Sequence, residues 1–187
     1  MNNIQLSHVA LLVPSVRKAA DYLRKLDFQI GKEDEFAHEG TREIYIEGDR
    51  PNSLLLMEPL ASGPYQRALQ KRGPGVHHIA IDVLNLELYL ESIAFSGWLL
   101  HPMSIKSIKE ARTAYLARPG FPALIEVHEK KLVQNSQPLF VNQIRFSFDS
   151  TLQRLLDPIG CSKVIYQIEN GIVLIIGKHT IEFKDLI

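Results

Sequence analysis

The sequence is poor in the features that would assign it to a specialised class. It has a single cysteine, Cys161, in 187 residues, so no internal disulfide can form and a reducing compartment suits it. It has no surplus of charge: 21 basic side chains balance 21 acidic ones, which argues against nucleic acid or an anionic membrane as partner. No apolar run approaches the roughly 20 residues that span a bilayer, and the opening residues lack a basic stretch followed by an apolar one. A soluble, cytoplasmic protein is the expectation. The length allows one ordinary domain or two small ones with a substantial core.

What the sequence does have is a repeat. Ser7-His8-Val9-Ala10-Leu11-Leu12-Val13 returns as His77-His78-Ile79-Ala80-Ile81-Asp82-Val83, and both read as buried strands. Strand alternation puts Leu6, His8 and Ala10 on one face, with Val9, Leu11 and Val13 opposite. In the second copy it puts Val76, His78 and Ala80 together, with His77, Ile79, Ile81 and Val83 opposite. Each copy thus offers one imidazole among small or apolar groups, and histidine is the commonest metal ligand. His77 reads as a packing residue.

The surroundings repeat too. After the first strand, Ser15 is a helix cap and Val16, Ala19, Ala20, Leu23 and Leu26 keep helical spacing as far as Asp27. Extended segments follow at Phe28 to Glu35, Thr41 to Glu47 and Ser53 to Met57, giving a βαβββ unit. A connector with a short helix around Tyr65 to Lys71 leads to the second strand. The helix Leu86 to Ser96 and the strands Trp98 to His101, Arg112 to Ala117 and Leu124 to Glu129 then complete a second βαβββ unit. The fold class is α+β, with paired βαβββ modules forming a cupped, mostly antiparallel mixed sheet.

Five segments, His8-Val9-Ala10, Glu39-Gly40-Thr41-Arg42-Glu43, Met57-Glu58-Pro59-Leu60, Gly75-Val76-His77-His78-Ile79-Ala80 and Ala123-Leu124-Ile125-Glu126-Val127, occur in a telling order. In that order they resemble the vicinal oxygen chelate (glyoxalase, bleomycin-resistance and dioxygenase) superfamily, and within it the methylmalonyl-CoA epimerases. The resemblance spans roughly residues 4 to 129. It implies a cupped sheet around one divalent metal ion (cobalt, zinc, manganese, nickel or iron) and a small-molecule substrate carrying a carbonyl or carboxylate. It implies His8, His78 and Glu126 as metal ligands. It also implies Glu43 as the base that moves a proton alpha to a carbonyl, and Glu126 as a second catalytic carboxylate.

The sequence departs from that pattern in two places. Leu55 stands where the epimerases carry a fourth ligand, glutamine or glutamate, which leaves the two-histidine, one-carboxylate set associated with non-haem iron. Between Ile105 and Pro122 the glycine-rich turn of the epimerases is replaced by Lys106-Ser107-Ile108-Lys109-Glu110 and a short Arg118-Pro119-Gly120 segment, so a coenzyme A thioester does not follow. Three functions stay open: a metal-dependent lyase or isomerase, a metal-free protein of the same fold that sequesters a ligand, and an extradiol-type iron dioxygenase. Of the remaining histidines, His128 shares the face of Glu126 but reads as solvent-exposed near a strand end, and His38 and His101 read as turn residues.

Beyond residue 132 the sequence exceeds the resemblance. Residues 1–132 read as the two-module unit, with modules at about 1–60 and 75–132, and 133–187 as a third, degenerate module. Gln134 to Pro138 is a polar linker. A strand at Val141 to Phe148, a helix capped by Asp149, a strand at Lys163 to Ile168, an Asn170-Gly171 hairpin of the type I′ kind and two further strands follow. Laid on the second unit, Gln143 falls at His78 and Glu182 at Glu126. An odd module leaves a sheet edge to cover, either by pairing with a second copy as a homodimer or by packing back on the core.

Overall fold

The computed structural model describes residues 4–48, 52–131 and 140–187. Its centre is an eight-stranded mixed sheet of β1 (Ile4–Leu12), β2 (Ile30–Phe36), β3 (Thr41–Ile46), β4 (Ser53–Pro59), β5 (Gly75–Val83), β6 (Leu99–Leu100), β7 (Thr113–Ala117) and β8 (Leu124–Glu129). Helices α1 (Val16–Arg24), α2 (Pro64–Arg72), α3 (Leu86–Ser92) and α4 (Ser104–Ala111) connect them. The strand order is β2-β3-β4-β1-β5-β8-β7-β6. It reads as one arrangement used twice: β1 runs parallel to β4, β5 runs parallel to β8, and β1 and β5 join the halves antiparallel. The paired βαβββ architecture expected from the repeat is therefore present.

Local chemistry explains the helices. Ser15 Oγ accepts from the Lys18 amide at 3.4 Å and Asn85 Oδ1 from the Leu88 amide at 2.8 Å, which starts α1 and α3. Val16, Ala19, Ala20 and Leu23 then bury one stripe of α1 in the core that also holds Val9 and Leu11. Both helices end sooner than apolar spacing suggests. Asp27 takes a φ of 64° after α1, and Phe95 and Gly97 take 64° and 90° after α3, so neither chain segment can continue the helix.

The central pair carries two irregularities that the sequence does not announce. Along β1 and β5, Leu6 faces Ile81 and His8 faces Ala80, leaving Ser7 as an extra residue; Ala10 faces His78 and Leu11 faces Val76, leaving His77 as another. Each is a β-bulge, and each directly precedes a site histidine. A bulge resets alternation. Leu6 and Val76, expected beside His8 and His78, instead pack against the helix-side core. His77, expected on that apolar side, is turned toward His78.

The C-terminal segment forms a second sheet from β9 (Val141–Phe146), β10 (Ile165–Gln167), β11 (Ile172–Ile176) and β12 (His179–Glu182), with a 3-10 helix at Ser150–Leu156. The chain order is that of a strand, a helix and three strands, but the strand order is β10-β9-β11-β12, unlike either half of the large sheet. The strands flanking Asn170-Gly171 pair with β9 and not with each other, and Gly171 alone of the two has positive φ, so the expected type I′ hairpin is absent. The tight hairpin lies instead at Ile176–His179, where Gly177 has φ 57° in the manner of a type II′ turn. Gln143 and Glu182 are separated by β11, so they do not reproduce the His78 and Glu126 pair. Gln143 accepts from Arg145 at 2.7 Å and Glu182 pairs with Lys184. The linker read at Gln134 to Pro138 lies outside the described residues.

This second sheet packs back on the main core. Phe121 stacks 5.5 Å from Phe146 and 5.0 Å from Phe148, and Trp98 Nε1 donates to the Leu155 carbonyl at 2.8 Å. Ile144, Phe146, Leu174 and Ile181 belong to the same buried cluster as Val9 and Ile79. One shared core should unfold as one unit. Urea unfolding followed by Trp98 fluorescence and by far-UV circular dichroism should give coincident transitions, and Phe146→Ala should lower stability by about 3–5 kcal/mol in both signals.

Candidate metal centre

The register of β1 and β5 decides the site. His8 lies opposite Ala80 and Ala10 opposite His78, so each imidazole meets a small side chain across the strand pair and both rings extend over the same face. Their Nε2 atoms come within 3.0 Å of each other, and His78 Nε2 is 3.1 Å from Oε2 of Glu126, which β8 places opposite Ala80. Two ring nitrogens this close need a proton or a cation between them. One nitrogen from each histidine and one carboxylate oxygen all lie within 4.8 Å of one another. The three residues named from the sequence thus converge.

Burial sets their charge. His8 and His78 are 6% and 7% exposed. Burial pulls His8 down to about 4 and His78 to about 3, against the attraction of Glu126. Burial would push Glu126 up, but the His128 hydrogen bond and the neighbouring imidazoles outweigh it and hold the carboxyl at about 2. At neutral pH the set is two neutral imidazoles and one carboxylate. That is the donor chemistry a divalent transition metal takes, so the residues present fit the ion.

Leu55 stands where the resemblance leads one to expect a fourth ligand. Ala10 lies opposite Leu55 in the parallel pair β1–β4, as Ala80 lies opposite Glu126 in β5–β8, so Leu55 is the counterpart of Glu126 in the other half. It is buried in a small apolar cluster with Ala10, Leu12 and Met57, covered from α2 by Tyr65, Ala68 and Leu69. One side of the centre is therefore closed by hydrocarbon.

Glu43 lies opposite Met57 and Tyr45 opposite Leu55, which puts both on the concave side. The Tyr45 ring stands 5.7 Å from His8, edge to face. Desolvation raises the Glu43 carboxyl above its ordinary range, against a hydrogen bond from Thr41 Oγ1 at 2.9 Å. A cavity of about 280 Å³ adjoins this face beside His77, bounded by Leu12, Arg72, Pro74 and by Phe146 and Ile172 of the second sheet.

Two histidines differ from expectation. His128 is not exposed: its side chain retains 15% of its accessible surface, Nε2 lies 3.0 Å from Glu126 Oε1, and Nδ1 lies 3.2 Å from Asp82 Oδ1. Burial pulls its pKa down, but the bonds to Asp82 and Glu126 dominate and raise it to about 9. His77 is not a packing residue of the helix side: its Nδ1 lies 3.0 Å from His78 Nδ1 and its ring 5.0 Å from Tyr65. Sequence alternation put His128 on the face of Glu126; its cross-strand pairing with Asp82, which the sequence reading did not single out, supplies the rest. The bulge that turns His77 has no sequence signal here.

Other candidates fall away from the site. His38 is an exposed turn residue 3.4 Å from Glu39, and His101 Nδ1 accepts from the Met103 amide at 3.3 Å. Arg112 is held by Glu87 and Glu129, and Lys106 lies 3.7 Å from Glu110, so these charges pair within the protein. Burial raises the Cys161 thiol to about 12, which leaves it unreactive.

No family model matches the chain, and no curated protein does. Solved structures do. A hypothetical protein from Bacillus halodurans C-125 is 25% identical, with a TM-score of 0.57 over 71% of this chain and 99% of that one. Methylmalonyl-CoA epimerase from Mycobacterium tuberculosis is 25% identical, with a TM-score of 0.52 over 66% and 85%. A further methylmalonyl-CoA epimerase structure is 22% identical, with a TM-score of 0.54 over 67% and 95%. The chain shares its fold with these proteins, and no helix among the described residues is long and apolar enough to cross a membrane.

Two outcomes follow for the isolated protein. Leu55→Glu should tighten divalent-metal binding by about tenfold or more, read by chelator competition, while lowering metal-free stability because a carboxylate then lies under α2. The pH dependence has a definite sign. His8, His77 and His78 fold with pKa values of about 4, 4 and 3 against an ordinary 6.5, so stability is lost as pH falls below 6.5. His128, raised to about 9, adds stability that is full below 6.5 and is lost as pH rises through 9. Thermal midpoints of the metal-free protein should therefore peak near neutrality.

Proposed function

We propose that the protein is a metal-dependent isomerase or lyase of the glyoxalase-like superfamily that moves a proton on the carbon beside a carbonyl of a small carboxylate or thioester. One observation carries the reading. Two neutral imidazoles and a carboxylate converge within reach of one ion, while a second, partly desolvated carboxylate, Glu43, stands on the same concave face. The first group suits a divalent cation, and the second suits a base. The fold shared with methylmalonyl-CoA epimerase supports the same class of chemistry.

The residues divide the work. Glu43, oriented by Thr41, accepts the proton from the carbon acid, and its raised pKa brings its basicity closer to the task. His8, His78 and Glu126 would hold the ion, with Glu126 also the carboxylate on the other side of the site. The chemistry a divalent ion supplies there is stabilisation of negative charge on the substrate's carbonyl oxygen. The buried apolar cluster under α2 excludes water from one wall.

A second reading has one observation in its favour: Leu55 closes the fourth ligand position with hydrocarbon, which suits a protein that sequesters a ligand without converting it. Metal analysis with deuterium exchange separates the readings. Cobalt, zinc, manganese or nickel together with exchange into an acyl thioester supports the isomerase; protein that takes up no metal supports sequestration; iron with oxygen uptake supports a dioxygenase. In the first case Glu43→Gln should slow exchange by roughly 100-fold or more with metal content unchanged.

A further inference from the structure

Beyond the three ligands, the face carries two more imidazoles whose contacts have no part in the reading above. Each touches one ligand on the atom turned away from the centre. His77 Nδ1 lies 3.0 Å from Nδ1 of His78, while Nε2 of His78 faces His8 and Glu126. His128 Nε2 lies 3.0 Å from Oε1 of Glu126, while Oε2 faces His78. Asp82 Oδ1 lies 3.2 Å from the far nitrogen of His128, and Lys130 Nζ lies 3.6 Å from that same oxygen.

We propose that His77 and His128 are positioning residues of the metal centre, His77 fixing the tautomer of His78 and His128 fixing the rotation of Glu126. The inference rests on the metal-centre reading above. A ligating imidazole must present a bare Nε2, so its Nδ1 carries the hydrogen and needs an acceptor. His77 Nδ1 is that acceptor, and it is there because the bulge re-aims a side chain that regular alternation would bury on the helix side. Glu126 has the opposite need. Its outer oxygen must be tied down so that the inner one stays on the ion, and a donor from His128, itself anchored by Asp82, does this.

The arrangement answers the loss at Leu55. A centre with three protein ligands has less enthalpy to spend on ordering them, so it gains more from ligands that are ordered beforehand. The half of the sheet that lacks a ligand has apolar Met57 where the other half has His128, each two residues beyond the counterpart position. Support is concentrated on the half that ligates with two residues.

Cobalt titration of the full chain against a competing chelator tests this, with the visible cobalt spectrum as a second readout. His77→Ala and His128→Ala should each weaken cobalt binding by about 10- to 100-fold. His77→Asn, which keeps an acceptor near Nδ1, and His128→Gln, which keeps a donor near Nε2, should restore most of the affinity and the wild-type spectrum. A packing role predicts otherwise: metal-free thermal midpoints would fall while affinity stayed put, or the conservative variants would bind as poorly as alanine. Either result overturns the proposal and leaves the three-ligand centre standing. Wild-type protein that binds no cobalt removes the centre itself and this inference with it.

Discussion

The antiparallel pairing of β1 with β5 is the constraint on which the site depends. It is the joint between two repeated halves, so the residues on either side of it are related by an approximate two-fold axis near Val9 and Ile79. A two-fold joint turns one histidine per half into two histidines facing each other. This joint brings His8 and His78, 70 positions apart in sequence, to 3.0 Å. The bulges at Ser7 and His77 bend and twist the two strands on either side of this joint, directly before each histidine. A slip of β1 by one residue in register would turn His8 to the helix side and part it from His78.

Electrostatics and packing then act in opposite directions on that face. Burial strips the imidazoles of their protons, which leaves Glu126 as a buried anion in need of partners. His128 supplies one, and Asp82 balances His128 in turn, so charge alternates outward from the centre toward solvent. On the other half, Leu55 and Met57 under α2 replace this chain of charges by hydrocarbon. Apolar packing there costs no desolvation. The two halves share a backbone plan but use opposite means of filling the same hollow.

Much of this was legible in the residues. The repeat of His-x-Ala in two apolar strands, with helices and strands at matching intervals, specified the modules and put His8 and His78 at equivalent positions, because strand alternation and helical spacing are properties of sequence. Glu126 was added to them by the family resemblance, and the structure brings the three side chains together. The shortfalls came where register departs from regularity. Alternation gave Leu6 and Val76 the wrong face and His77 the wrong role, since a bulge depends on how two strands meet. His128 was given the right face and the wrong environment, because its burial comes from Asp82 and Glu126 on neighbouring strand positions. Asn170-Gly171 has the composition of a hairpin turn, yet the strands beside it choose β9 as neighbour. Turn chemistry permits a hairpin; the buried faces of the strands decide whether it forms.

The second sheet shows the same competition on a larger scale. Its sequence repeats the order of a strand, a helix and three strands, but a cupped module needs its first and last strands side by side, and here β11 lies between β9 and β12. The reason lies in what its strands must cover. Ile144, Phe146, Leu174 and Ile181 close over apolar surface on the helix side of the main sheet, beside Tyr89 and Trp98, and Gly160 takes its left-handed turn against Ile4. A sheet that spends its apolar face on another layer has none left to wrap around a hollow. It lies instead against the side of the main sheet opposite the histidines, where Gly160 meets Ile4 at the start of β1 and Ile172 meets Gly75 at the start of β5.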